Sequence, residues 1–303
     1  MRPHGVIPPI ITPLRADLTI DVDALRAVVE FQLAAGATGL FTLGSSGEAI
    51  YRTDPDRKLV VDIVVSQVNG RVPVLVGAVD ATPDRVIEQL AWIEQSGAAA
   101  AVVTAPFYAN LSVGETEEHF RRLAARSKLP LLAYDIPGNT HRRLDPDSMI
   151  RLLRDGVLAG LKDSSGALPD FRRIAYALGP DRRCALLSGA DTTADLALQI
   201  GADGLIPGLA NVRPDLFAVL LAAASAGDAS TMEAAQRRIV ILSAIYGVGE
   251  RYGLGRHASE LGAMKHALRR RGVIATAHTS SPMTTLPPAA CAEVDAILDQ
   301  VDA

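Results

Sequence analysis

The sequence predicts an α/β protein, a (β/α)8 TIM barrel with a C-terminal helical extension. Three observations carry that prediction. Eight short apolar runs, each followed by a turn and a longer amphipathic stretch, repeat through about two thirds of the chain. The alternation is unbroken, which implies parallel strands joined by right-handed crossovers. A chain of 303 residues, 49% of them hydrophobic, buries a core large enough to need neither disulfides nor metal. Eight units can close on themselves as a barrel, although a doubly wound open sheet satisfies the same pattern.

The elements follow in order. The run Val6 to Ile11 precedes a helical pattern from Asp23 to Ala35, which ends in Ala35-Gly36-Ala37. The runs Gly39 to Leu43, Val74 to Gly77 and Ala99 to Thr104 are each followed by a helix, over Asp54 to Val68, Pro83 to Glu94 and Glu115 to Arg126. Asp, Thr and Pro open several of these, as helix starts do. Leu131 to Tyr134 leads to Pro146 to Leu153, Leu158 to Leu161 to Phe171 to Leu178, and Ala185 to Leu187 to Thr192 to Leu198. Gly204 to Ile206 is the eighth run. Gly36, Gly97, Gly179 and Gly201 stand where a helix ends in the left-handed conformation. After Asn211 no strand follows. Leu216 to Ala224 completes the eighth unit, and Met232 to Tyr246, Ser259 to Arg270 and Ala289 to Leu298 read as further helices. The expected division is a catalytic barrel over residues 1–225 and a helical region over 226–303, packed on the barrel or on another subunit.

Composition excludes several function classes. A net charge of −4 with acids and bases interspersed offers no basic field to nucleic acid or anionic lipid. No apolar run reaches the length of a membrane span, and Met1 to Thr12 lacks the h-region and cleavage site of a signal peptide. Cys184 and Cys291 match no metal or redox spacing, so a reducing cytoplasm is expected. The six histidines show no zinc spacing, and no metal or cofactor is expected. Gly247-Val248-Gly249 follows a helix and lacks the third glycine of a dinucleotide loop.

In a parallel barrel the reacting groups project from the C-terminal ends of the strands. Lys162 stands there, directly after the apolar run Val157-Leu158-Ala159-Gly160-Leu161. The chain uses arginine for all but four of its 30 basic residues, and Lys58, Lys128 and Lys265 lie in charged helical or loop surroundings where any cation would serve. A lysine in a barrel mouth loses hydration, its pKa falls, and the free amine can form a Schiff base with a keto acid. The plainer alternative is a buried lysine paired with Asp163 or another carboxylate. Gly44-Ser45-Ser46-Gly47-Glu48 presents two hydroxyls and a run of amides suited to a small carboxylate or phosphate, or else a turn chosen for conformation. Glu48 occupies the last glycine position of an esterase elbow, which argues against a serine nucleophile. Tyr134 ends a strand beside Asp135 and Pro137, either as a proton relay or as a packing residue.

Together, Gly44-Ser45-Ser46-Gly47-Glu48, Tyr134-Asp135-Ile136-Pro137 and Gly160-Leu161-Lys162-Asp163, with the opening Gly5-Val6-Ile7-Pro8-Pro9-Ile10-Ile11-Thr12-Pro13, resemble the dihydrodipicolinate synthase and N-acetylneuraminate lyase family. The resemblance covers the whole barrel. It implies a homo-oligomer, tetramer or dimer, in which Lys162 forms a Schiff base with pyruvate and Tyr134 relays protons. It implies that Ser45, Ser46 and Gly47 hold the keto-acid carboxylate, with Ser46 also near the relay. Tyr108 matches a tyrosine that completes a neighbouring subunit's site, and Ile206 a residue whose carbonyl faces the substrate. Asn139 falls where dihydrodipicolinate synthases carry an arginine for the aldehyde's carboxylate, and a neutral amide cannot replace a bidentate cation. Arg142 and Arg143 are the candidates to compensate. Ser164, Gly189 and Asp191 match positions that meet hydroxyls in the sugar-acid lyases. The expected activity is class I aldol cleavage of a 2-keto-3-deoxy sugar acid to pyruvate and an aldehyde. Dihydrodipicolinate synthesis, keto-deoxy acid dehydration and a non-catalytic binding scaffold are the alternatives.

Overall fold

The computed structural model describes residues 2–303. Along the chain run β1 (Gly5–Val6), α1 (Val22–Ala34), β2 (Leu40–Thr42), α2 (Asp54–Val68), β3 (Val74–Ala78), α3 (Pro83–Ile93), β4 (Ala100–Thr104) and α4 (Val113–Ala124). There follow β5 (Leu131–Asp135), the single turn α5 (Pro137–Thr140), α6 (Pro146–Arg154), β6 (Gly160–Asp163), α7 (Leu168–Leu178), β7 (Ala185–Ser188), α8 (Ala194–Ile200) and β8 (Gly204–Leu205). The chain closes with α9 (Pro214–Ala226), α10 (Ala229–Ser243), α11 (Arg256–Arg270) and α12 (Pro288–Asp302). All eight strands are parallel, in the order β1-β8-β7-β6-β5-β4-β3-β2. This is a TIM-barrel-like α/β fold, with each strand where an apolar run predicted one.

The first run shows the largest difference. Only Gly5 and Val6 form a regular strand, because Pro8 and Pro9 contribute no N–H to a ladder. The segment beyond still lies between its neighbours: Ile7 donates to the Leu205 carbonyl at 2.8 Å, Phe41 to Pro8 at 3.0 Å and Ile10 to Phe41 at 2.9 Å. The two end strands of the sheet are thereby joined through the irregular tail of β1.

Local signals set most helix boundaries. Asp21, Thr53, Ser112 and Asp145 accept hydrogen bonds from first-turn amides, and Ser112 with Glu115 forms a reciprocal capping box. Gly36 and Gly201 end α1 and α8 with φ of 86° and 105°. Strand residues alternate between two apolar layers. Ile7, Phe41, Leu75, Val102, Leu132 and Leu187 fill the inside of the barrel, while Val76, Val103, Ala133, Leu161 and Leu186 pack outward under the helices. A further cluster joins Val6 and Leu205 to Phe217, Ile239, Met264 and Leu298, so α9 to α12 share one core at the β1–β8 side. Among the described residues no helix is long and apolar enough to cross a membrane.

Candidate active site

Parallel register puts Tyr134 beside Lys162, and Lys162 beside Leu187. Because Leu161 faces the helices, the next residue, Lys162, turns into the barrel, where its side chain is buried. Its Nζ lies 3.6 Å from the centre of the Tyr134 ring and 5.1 Å from that of Phe41. Burial drives the Lys162 ammonium below the usual lysine range, against the opposing pull of Tyr134 and Asp191. The alternative pairing with Asp163 is not made. Asp163 faces outward and accepts from the amide and hydroxyl of Ser165 at 2.7 and 2.6 Å.

Above the amine opens a cleft of about 260 Å³, floored by Lys162, Tyr134 and Gly189 and walled by Ser45, Ser46 and α11. Tyr134 Oη is 3.2 Å from Ser45 Oγ, so a proton can pass between the two hydroxyls. The contact falls on Ser45, whereas the family resemblance puts Ser46 nearest the relay. Gly189 makes room at the floor: a Cβ there would stand 2.2 Å from Ser164 Oγ, 3.2 Å from the Ile206 carbonyl and 3.3 Å from Lys162 Cε. Asp191 accepts from Tyr246 Oη at 3.0 Å and from the Leu209 amide at 3.1 Å, and burial pushes its carboxyl up to about 6. A smaller adjoining hollow of about 60 Å³ shares Ser45, Tyr134, Ile136, Asn139 and His257 with the cleft and reaches Phe107 and Tyr51.

Nine of the residues singled out in the sequence line the cleft: Lys162, Tyr134, Ser45, Ser46, Ser164, Gly189, Asp191, Ile206 and Asn139. Two do not. Gly47 is buried behind the serines, its carbonyl accepting from Thr12 Oγ1 at 2.8 Å. Tyr108 stands 91% exposed on the loop before α4, outside its own chain's cleft. The candidates to replace the missing arginine are engaged elsewhere. Arg142 donates to Asn110, Leu111 and Thr116, and Arg143 pairs with Asp135 at 2.9 Å and Asp170 at 3.1 Å.

Sequence reasoning missed five polar residues of the cleft: Ser165 beside Ser164, and, beyond residue 225, Tyr246, Arg256, His257 and Glu260. Arg256 Nε pairs with Glu260 at 2.6 Å, and Asn139 Nδ2 meets His257 Nε2 at 2.9 Å. An i, i+4 charge pair on an amphipathic helix looks like any solvated surface pair, so no signal distinguished it. Lys265 was misjudged more seriously. Far from a charged surface, it is fully buried and ion-paired with Glu48.

A TIM-barrel-like fold with one dehydrated lysine beside a tyrosine, hydroxyls at the strand ends and a deep polar cleft defines the class as a barrel lyase built around an amine. Comparison with known proteins gives the family. The chain belongs to the dihydrodipicolinate synthetase family, which matches residues 2–301. It is accordingly a pyruvate-dependent carbon–carbon lyase. It is 33% identical over 298 residues to a 4-hydroxy-tetrahydrodipicolinate synthase of Hyphomonas neptunium, covering 97% of each chain. It is 32% identical over 271 residues to an uncharacterized DapA-like lyase of Halobacterium salinarum, covering 88% of each. Among solved structures it resembles YagE of E. coli K12, a prophage protein of the dihydrodipicolinic acid synthase family in complex with pyruvate. The TM-score is 0.92 at 26% identity, covering 99% of this chain and 98% of that one.

Proposed function

We propose that the protein is a class I aldolase that cleaves a 2-keto-3-deoxy sugar acid, such as 2-keto-3-deoxygluconate, to pyruvate and an aldehyde. Lys162 Nζ attacks the C2 carbonyl and water leaves, giving the protonated imine. Tyr134, relayed by Ser45, takes the proton of the C4 hydroxyl; the C3–C4 bond breaks, its electron pair enters the iminium to form an enamine, and the aldehyde departs. Protonation of the enamine carbon and hydrolysis by water return the free lysine and pyruvate. Ser45 and Ser46 hold the C1 carboxylate, and Ser164, Asp191 and Tyr246 meet the chain hydroxyls. The YagE–pyruvate complex supports pyruvate as the retained fragment. No metal or cofactor enters these steps.

The observation that carries the substrate class is the state of the arginines. Asn139 is neutral and bonded to His257, Arg142 and Arg143 point away, and Arg256 is already neutralised by Glu260. The distal cleft therefore offers paired donors and acceptors, which suit hydroxyls, rather than an uncompensated cation for a second carboxylate. The names of relatives favour a second reading, 4-hydroxy-tetrahydrodipicolinate synthesis. We further propose a cytoplasmic homo-oligomer in which Tyr108 reaches a neighbouring subunit's cleft, and a barrel over residues 1–225 followed by a helical region over 226–303.

Borohydride reduction in the presence of pyruvate, followed by peptide mass mapping, tests the chemistry. A pyruvyl adduct confined to Lys162, absent from Lys162→Ala, is expected. Tyr134→Phe should still trap pyruvate while its turnover on 2-keto-3-deoxygluconate falls about 100-fold or more. No adduct on the folded wild type would remove the Schiff-base mechanism and favour the scaffold. Condensation with aspartate semialdehyde in a coupled assay would transfer the assignment to the synthase. Loss of water from the sugar acid without aldehyde release would transfer it to a dehydratase.

A further inference from the structure

The hydroxyl-bearing loop Gly44-Ser45-Ser46-Gly47 is bracketed by two non-glycine residues in the left-handed region, Leu43 at φ 55° and Glu48 at φ 58°. Such residues persist only where their surroundings impose the conformation. Leu43 is held by β3: its carbonyl comes so close to Gly77 that a Cβ there would stand 2.0 Å away. Glu48 is held from the other end of the chain. Its carboxylate pairs with Lys265 of α11, and it accepts hydrogen bonds from the amide of Ser280 at 2.6 Å and from the Ser280 hydroxyl. Lys265 in turn donates to the His278 carbonyl at 2.7 Å. Both charged side chains have no exposed surface. Neither touches the cleft, and the reaction above uses neither.

A buried ion pair is weak support for stability, since well-packed neutral residues often serve as well or better. What this pair does is geometric. It ties the residue directly after Gly47 to a helix that also forms the cleft wall and to the segment between α11 and α12. We infer that Glu48 and Lys265 are a positioning pair that holds Ser45 and Ser46 at the place where the keto acid's carboxylate docks, making the C-terminal helical region part of the binding apparatus. The binding half of this inference rests on the keto-acid reading above; the positioning half does not.

The test compares wild type with Glu48→Gln/Lys265→Met, which removes both charges and avoids stranding one of them in the core, and with each single variant. Folding is checked by circular dichroism. Two readouts are taken: amide hydrogen exchange of peptides spanning Leu43 to Ala49, without ligand, and the pyruvate concentration giving half-maximal borohydride trapping at Lys162. The folded double variant is expected to exchange at least tenfold faster across Leu43 to Ala49 with the β6 and β7 peptides unchanged. It should need at least tenfold more pyruvate for half-maximal trapping, yet reach the wild-type extent at saturation. A double variant that folds with unchanged loop exchange overturns the inference, as does one whose loop loosens while half-maximal pyruvate stays within twofold of wild type. If the wild type itself traps nothing, the keto-acid reading fails separately, and the exchange measurement alone upholds or overturns positioning.

Discussion

Asp191 shows how a single residue in this site couples charge to stability. It is almost fully buried, and the loss of hydration outweighs the hydrogen bonds from Leu209 and Tyr246 and the attraction of Lys162, leaving its carboxyl at about 6 against an ordinary 3.8. An acid whose pKa rises on folding keeps its proton longer in the folded state. Its contribution to stability is complete below about pH 4 and is lost as pH rises through about 6. Asp135, raised to about 6 on the outer face by burial despite its bond to Arg143, adds a parallel effect. Asp191→Asn is therefore expected to reduce the fall in unfolding free energy between pH 4 and pH 6, measured by urea titration at several pH values, with Asp135 and Asp163, both raised by burial, carrying the remainder. A variant with the wild-type slope would show that Asp191 is ionised across that window. At this scale the sequence anticipated where several cleft residues lie. Lys162 was legible because it ends an apolar strand, whereas Lys265 was not, since its burial depends on Glu48, more than two hundred residues away.

At the scale of elements, the tail of β1 is the place where local propensity and the fold disagree. An apolar run rich in β-branched residues predicts a full strand, yet its prolines leave gaps in the ladder, and a buried side chain fills them. Asn211, fully buried after β8, accepts from the Ile11 amide at 3.0 Å and donates to the carbonyls of Pro9 at 2.8 Å and Gly208 at 3.0 Å. One side chain thus stands in for missing strand hydrogen bonds between the last unit and the first. Asn211→Ala strips three bonds and leaves a buried amide without a partner, so a loss of about 2–4 kcal/mol is expected. Chemical denaturation would read it directly, and a change below about 0.5 kcal/mol would mean that water or a shifted backbone replaces the amide. The single turn α5 escaped notice for a related reason: Pro137-Gly138-Asn139-Thr140 reads as a loop, since proline and glycine dominate it.

At the scale of the whole molecule, Tyr108 poses the question of assembly. Its ring is exposed on a loop at the barrel mouth, outside the cleft of its own chain. The proposed oligomer gives it a partner. Tyr108→Ala should lower turnover without preventing pyruvate trapping at Lys162, and refolding it together with Lys162→Ala should recover activity that neither variant has alone. Mixed subunits with no more activity than the better parent would place Tyr108 outside any shared site.

Periodicity, helix caps and helix-ending glycines were enough to fix the order of strands and helices, because each depends on residues within one or two turns of one another. The residue types at the strand ends likewise located the amine, the phenol and the paired hydroxyls, since a parallel strand delivers its last side chain to one predictable end of the sheet. The joining of β1 to β2, the neutralisation of Arg256 by Glu260, the removal of Arg142 and Arg143 from the cleft and the Glu48–Lys265 pair were decided only by the tertiary structure. Each is a contact between distant segments, and whether a charge is paired, buried or aimed at a substrate depends on which surfaces the packed helices bring together.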